Sequence, residues 1–278
     1  MSLRLASLHI HPIKSLGGFS VQEARITDRG FAHDRRWMLV MGHGTFITQR
    51  EVPAMACLHC SPLSNGFRVT DIRDGATLDL PWSTDEGEER RAQIWGDTVQ
   101  VLPASAELSS WFAHRLGIPC RLVFMPDGSH RPVDPTYAIG INSLSDGFPY
   151  LIISTTSLDE LNARIVANGG AAVPMDRFRP NMVIDGGSPF QEDGWKEITI
   201  GDTRFALVKP CERCTITTTD QRTGERGKEP LRTLANFRRR QKNTGAVIDF
   251  AMNAVALSGD VVRVGDLVTV PMDRGVAT

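Results

Sequence analysis

The residues best suited to chemistry lie in one stretch, Pro210-Cys211-Glu212-Arg213-Cys214-Thr215-Ile216-Thr217-Thr218-Thr219-Asp220. The apolar pair Leu207-Val208 leads in, and Gln221-Arg222-Thr223-Gly224 closes it. Two thiols stand at C-x-x-C spacing with an arginine between them. A thiolate is a soft anionic ligand, suited to a soft metal or to sulfur chemistry. A neighbouring guanidinium favours the deprotonated form, because opposite charge lowers a thiol pKa. The same spacing also fits two inert, buried cysteines at a strand end, and spacing alone leaves both readings open. Asp220 is a candidate general acid by proximity, with an ordinary turn role as the alternative.

Other polar clusters are candidates for anion binding. Lys14-Ser15, before Gly17-Gly18, could bring an ammonium, a hydroxyl and backbone N–H groups to one anion. It is not a phosphate-binding Walker loop, since the upstream glycine is missing. His33-Asp34-Arg35-Arg36 precedes the apolar run Trp37–Val40, as in an anion site at a strand end or a solvated edge. Arg179-Pro180-Asn181 holds two planar hydrogen-bonding groups on a stiff backbone, which also suits a turn salt bridge. Cys57 and Cys60 form a second C-x-x-C. With Cys211 and Cys214 they could make a Cys₄ zinc site, but the separation is far outside the usual knuckle spacing.

The elements that must position these groups are short. Alternation predicts strands at 3–11 and 21–27, with Asp28-Arg29-Gly30 as a turn. A hairpin turn at 42–44 and a return strand at 45–49 follow. Helix one is expected at Glu107–Leu116, capped by Ser105 and stopped by Gly117. Helix two is expected at Leu158–Ala167, opened by a capping box at Ser157-Leu158-Asp159-Glu160. Helix three is expected at Leu231–Arg239 after Pro230, with Arg238-Arg239-Arg240-Gln241-Lys242 as a solvated helix end. A hairpin through Gly201-Asp202 delivers the chain to the cysteines, and the last strands fall near 249–257 and 260–270. A domain boundary is expected near residue 120.

With 278 residues and a 41% apolar composition, the chain can bury a substantial core. Frequent Gly and Pro with few helical patterns predict an α+β, mainly β fold. A net charge of −1 excludes a global basic field for nucleic acid. No run reaches the ~18 apolar residues of a membrane span. The odd count of five cysteines and the polar N-terminus predict a reducing, cytoplasmic compartment rather than a disulfide framework.

Taken in order, Pro12-Ile13-Lys14-Ser15, Asp34-Arg35-Arg36-Trp37, Phe178-Arg179-Pro180-Asn181, Pro210–Cys214 and Glu229-Pro230-Leu231 resemble a MOSC-domain protein with its MOSC N-terminal β-barrel domain. Within that group the chain resembles the mitochondrial amidoxime-reducing component and its bacterial N-hydroxylated-compound reductase relatives. The resemblance implies a β-barrel-like N-terminal domain at 1–120, a β-barrel MOSC domain at 121–273 and a tail at 274–278. It implies a molybdenum–molybdopterin cofactor between the domains, with Cys214 as metal ligand and catalytic centre. Lys14, Ser15 and Arg35 would meet the phosphate end of the pterin, and Arg179 and Asn181 its rings. Asp146, Gly147 and Phe148 would line the pocket, with Glu212, Arg213 and Asn253 close to the metal. The implied activity is reduction of small N-hydroxylated compounds. Lacking a dinucleotide fingerprint and a ferredoxin cysteine pattern, the chain would draw electrons from a separate ferredoxin or flavoprotein/cytochrome. Cofactor carriage, or sulfur transfer through a persulfide on Cys211 or Cys214, are the alternatives. The sequence departs from the pattern at Phe148, at Thr219 and at Ala251, where relatives carry a Gly.

Overall fold

The computed structural model describes residues 2–271, and the expected tail at 274–278 lies outside them. A nine-stranded sheet dominates. Its order is Val268–Thr269, Glu197–Ile200, Thr203–Glu212, Gly245–Ser258, Tyr150–Ser154, Met182–Asp185, Arg4–Ile10 and Phe19–Val21, with Arg239–Lys242 paired beside Gly245–Ser258. The first strand, Arg4–Ile10, thus completes a sheet built mostly from the C-terminal half. Leu5, Leu8 and Ile10 point into its core with Tyr150, Ile152, Met182, Phe205 and Ala254. Within this sheet Tyr150–Ser154 and Met182–Asp185 run parallel, joined by a crossover helix.

Residues between about 37 and 125 form two of the smaller sheets, and a third joins Val261–Arg263, Glu23–Thr27 and Gly30–Phe31. Trp37–Val40, Arg121–Phe124, Asp97–Pro103 and Arg90–Ile94 make one of four strands, and Leu58–Leu63, Gly66–Asp71 and Thr77–Pro81 another of three. Ile13, Leu16, Trp37, Leu58, Phe67 and Phe112 share their core. The fold is mainly β, as composition requires.

Helix α1, Ala106–Leu116, forms where local signals place it. The Ser105 side chain accepts from the Leu108 N–H, and Gly117 ends the helix at φ 67°. Helix α2, Thr155–Ala167, starts three residues before its expected position. Ser154, not Ser157, is the cap, and both hydroxyls donate to the buried carboxylate of Glu192. Helix α3 is only Leu231–Leu234. The basic run expected as its end is instead the strand Arg239–Lys242, held by Arg240–Asp249 and Lys242–Glu212 ion pairs. The expected return strand at 45–49 reduces to isolated bridges at Thr45 and Phe46. The expected last strand, 260–270, splits into Val261–Arg263, paired with Glu23–Thr27, and Val268–Thr269, paired with Glu197–Ile200.

Candidate functional site

The cysteine stretch emerges from the irregular end of the long central hairpin. Thr203–Glu212 pairs with Gly245–Ser258, and the register shifts between Leu207 and Lys209 and again between Pro210 and Glu212. Bulges bend a strand and re-aim its side chains. Opposite them Ala251 adopts φ 78°, the left-handed conformation that glycine takes freely. Cys214 then leaves the strand as the residue before the turn Thr215–Thr218, and its carbonyl accepts from Thr217 Oγ1 at 2.9 Å. Arg213 serves Cys211 rather than Cys214. Its Nη1 donates to Cys211 Sγ at 2.8 Å and its Nη2 to the Phe178 carbonyl at 2.8 Å. Burial pushes the Cys211 thiol up, and Arg213 only partly opposes it.

The polar clusters of the first forty residues reach the same place through the strand pairing. The Lys14 N–H donates to the Trp37 carbonyl, which ties the Lys14-Ser15 turn to the run after Arg35. Arg35 Nη1 donates to Asp34 at 2.5 Å and to Asn181 Oδ1 at 3.0 Å, and Nη2 to the Arg179 carbonyl at 3.0 Å. Arg179 Nη1 donates to the Leu16 carbonyl at 2.5 Å. Ser15, Arg35 and Arg179 all take left-handed backbones, at φ 68°, 48° and 56°. Lys14 donates to the Leu144 carbonyl at 3.0 Å and pairs with Asp146, which also accepts from Arg50 at 3.0 Å. Burial pushes the Lys14 ammonium down to about 8, although Asp146 pulls the other way. Burial would raise Asp146, but Lys14 and Arg50 hold it far below the usual carboxylate range. Arg179 falls to about 10 through burial and the like charge of Arg35.

One cavity collects Lys14, Ser15, Arg35, Asp146, Gly147, Phe148, Arg179, Asn181, Glu212, Arg213, Cys214 and Asn253. Sequence reasoning missed Arg50, Arg177, Leu151 and Thr217, which line it too. Arg177 stood in plain view two residues before Arg179. Arg50 offered no motif, and only the fold brings it to Asp146 and to the side of Cys214. Arg50, Arg177, Arg179 and Arg213 each carry one buried guanidinium nitrogen without a hydrogen-bond partner. Buried donors are normally satisfied, so such a group marks a place where an acceptor is missing.

Two alternatives raised by the sequence stand as follows. Asp220 does not line the cavity. Its carboxylate accepts from the Arg222 and Thr223 N–H groups and pairs with Arg177 at 2.7 Å, which holds it below the usual carboxylate range. It anchors a turn beside the cavity wall. The Cys₄ zinc arrangement is not formed, since no group of three or more His, Cys, Asp or Glu among the described residues could hold a metal. Burial pushes Cys60 up to about 12, so it is an inert core thiol.

Two β-rich halves closing over a cationic, thiol-bearing cavity match known domains. The MOSC N-terminal beta barrel domain matches residues 2–119 and the MOSC domain residues 140–269, and the chain belongs to this family of MOSC proteins. It is 32% identical over 247 residues to mitochondrial amidoxime-reducing component 1 of Mus musculus, covering 84% of this chain and 71% of that one. It is also 32% identical over 260 residues to the molybdenum cofactor sulfurase of Oryza sativa, covering 86% of this chain and 31% of that one. The chain therefore spans about a third of the length of the sulfurase relatives it matches. The crystal structure of YuaD from Bacillus subtilis matches 96% of this chain and 94% of that one at 9% identity and a TM-score of 0.37. No helix among the described residues is long and apolar enough to cross a membrane.

Proposed function

We propose that this chain is a molybdenum-cofactor-dependent oxidoreductase that reduces N-hydroxylated compounds such as hydroxylamines, amidoximes and N-hydroxylated bases. Electrons would come from a separate ferredoxin or flavoprotein/cytochrome, in a reducing, cytoplasmic setting that suits five unpaired cysteines. One observation carries the reading: cationic donors from both halves converge with the Cys214 thiol on a single cavity. The residues fit the cofactor chemically, because unpartnered guanidinium nitrogens suit phosphate and pterin acceptors, and a thiolate suits molybdenum.

Lys14, Ser15 and Arg35 would hold the phosphate end, and Arg179 and Asn181 the pterin. Asp146, Gly147 and Phe148 would wall the pocket, and Cys214 would ligate the metal. When bound, the cofactor supplies a two-electron centre able to accept the substrate oxygen. The chain's own residues bind and orient. Arg35 braces Arg179 and Asn181, and Arg213 fixes Cys211 beside the ligand. Glu212 is held at the rim by Lys242 at 2.7 Å, and Asn253 faces the Pro210 carbonyl at 3.5 Å. Phe148, Leu151 and Ile216 exclude water from the inner wall. The Lys14–Asp146–Arg50 ion cluster lies along the cavity.

The sulfurase relatives favour a second reading, in which the domain carries the cofactor or transfers sulfur through a persulfide on Cys211 or Cys214. The test uses wild type and Cys214→Ala made in a host that synthesises the cofactor. Near-stoichiometric molybdenum and pterin fluorescence in wild type are expected. The variant should lose molybdenum, keep pterin and lose N–O reduction driven by a chemical electron donor. Sulfane sulfur without molybdenum in well-folded wild type would select sulfur transfer instead. Robust turnover with NADH alone would rule out the separate donor.

A further inference from the structure

Outside the cavity mouth stands an aromatic side chain that folding does not explain. Trp95 and Gly96 form the two-residue turn between Arg90–Ile94 and Asp97–Pro103, with Ile94 opposite Asp97. Trp95 adopts φ 54°, a conformation disfavoured for a bulky residue and natural for glycine. It is left 50% exposed, although it is a large apolar residue. The Arg50 guanidinium lies 4.6 Å from the indole centroid and the Phe46 ring 5.0 Å away, tilted. Through Arg50 the indole is linked to Asp146 and to the neighbourhood of Cys214.

Trp95, Arg50 and Asp146 border a vestibule of about 580 Å³ that also includes Lys209, Glu212, Val247 and Ile248. It shares Arg50, Asp146, Glu212, Arg213 and Cys214 with the inner cavity, so it is the way in to the thiol. Its chemistry is specific. The indole offers a flat π face, Val247 and Ile248 offer apolar surface, and Arg50 and Glu212 offer a donor and an acceptor at the inner end.

We propose that Trp95 is the specificity-determining residue of this vestibule, selecting planar, π-bearing N-hydroxylated compounds over small aliphatic ones. The proposal rests on the reductase reading above. A ring entering the vestibule stacks on or against the indole, and its N-hydroxylated group points inward to Arg50 and Glu212. An aliphatic compound has no face to stack and gains nothing from Trp95. Aromatic contacts of this kind change affinity by up to about tenfold.

The test compares wild type, Trp95→Gly and Trp95→Tyr as cofactor-loaded proteins. Benzamidoxime and acetamidoxime are the substrates, and benzamidine and acetamidine are the calorimetric binding probes. Trp95→Gly should remain folded, because relief of the left-handed backbone offsets part of the lost indole packing. It should bind benzamidine about tenfold more weakly, with acetamidine binding changed less than twofold. KM for benzamidoxime should rise about tenfold with kcat within twofold, and Trp95→Tyr should recover most of the loss. Equal losses for both probes, or no loss for either, would overturn the proposal. If loaded wild type reduces neither substrate, the reductase reading fails. The benzamidine preference and its dependence on Trp95 then decide the vestibule alone.

Discussion

Arg179 can be used to separate a binding site from a structural salt network. As a residue it is half-buried, but its Nη2 atom is fully buried and unpartnered. Its Nη1 donates to the Leu16 carbonyl, and no carboxylate among the described residues forms an ion pair with it. Burial, followed by repulsion from Arg35, pushes it down to about 10. At about 1.4 kcal/mol per pKa step, the charged form costs the cofactor-free fold roughly 3 kcal/mol at neutral pH. Arg179→Met removes that cost and loses one charged hydrogen bond, worth about 1.5–3 kcal/mol. The net expectation for cofactor-free protein is between no change and about 2 kcal/mol of stabilisation, read from urea unfolding midpoints. Cofactor content should fall at the same time, because about 1.5–3 kcal/mol of charge-assisted binding corresponds to roughly 10- to 150-fold in affinity. A variant destabilised by several kcal/mol with cofactor content intact would refute the reasoning and make Arg179 a structural strut.

Two further outcomes follow from the same geometry. Burial lowers Lys14 to about 8 in the fold, below its unfolded value. The unfolded chain therefore binds more protons between about pH 8 and 10.4, and this group makes stability rise across that window. Urea unfolding of cofactor-free protein at pH 7.5 and 10 should show a gain for wild type that Lys14→Met lacks; parallel changes would dismiss the buried ammonium. Ala251 takes a left-handed backbone at φ 78°, costing about 1–2 kcal/mol relative to glycine, whose extra chain entropy returns about 0.5–1. Ala251→Gly should raise the unfolding free energy by up to about 1.5 kcal/mol, and a destabilised variant would show that the methyl contact with the α2 core outweighs the strain.

Sequence legibility followed the range of the interactions. Helix α1 is readable because Ser105 and Gly117 act within one turn of it. The start of α2 is not, because Ser154 becomes a cap only with Glu192 behind it, supplied from thirty-eight residues away. The run Arg238–Lys242 looks like a helix end until Gly245–Ser258 offers a ladder and Asp249 and Glu212 take its charges. For the site, Lys14, Arg35, Arg179, Asn181 and Cys214 were visible as groups of chemically apt residues, and a shared pattern suggested that they belong together. Arg50 and Trp95 were invisible for one reason: each is ordinary in its own segment and distinguished only by what the fold sets beside it.

The conformation of the chain at the cavity says which demand it answers. Ser15, Arg35 and Arg179 line it in left-handed backbones, and Trp95 borders it in another. Sequence optimisation for stability alone would place glycine or asparagine at such positions. Side chains with donors or a π face are there instead, so the strain is accepted for the direction it gives each Cβ. The same demand explains the strand exchange between halves. Arg4–Ile10 joins the large sheet, and the chain then turns through Lys14 and Ser15 into contact with Trp37 of the smaller one. Arg35 fastens this junction to Asn181 and Arg179. The cavity walls belong to both halves, and the C-terminal half by itself would lack Lys14, Arg35, Arg50 and two strands of its own sheet. A ligand seated in this cavity would touch both halves, and its binding would add to the forces that keep them closed.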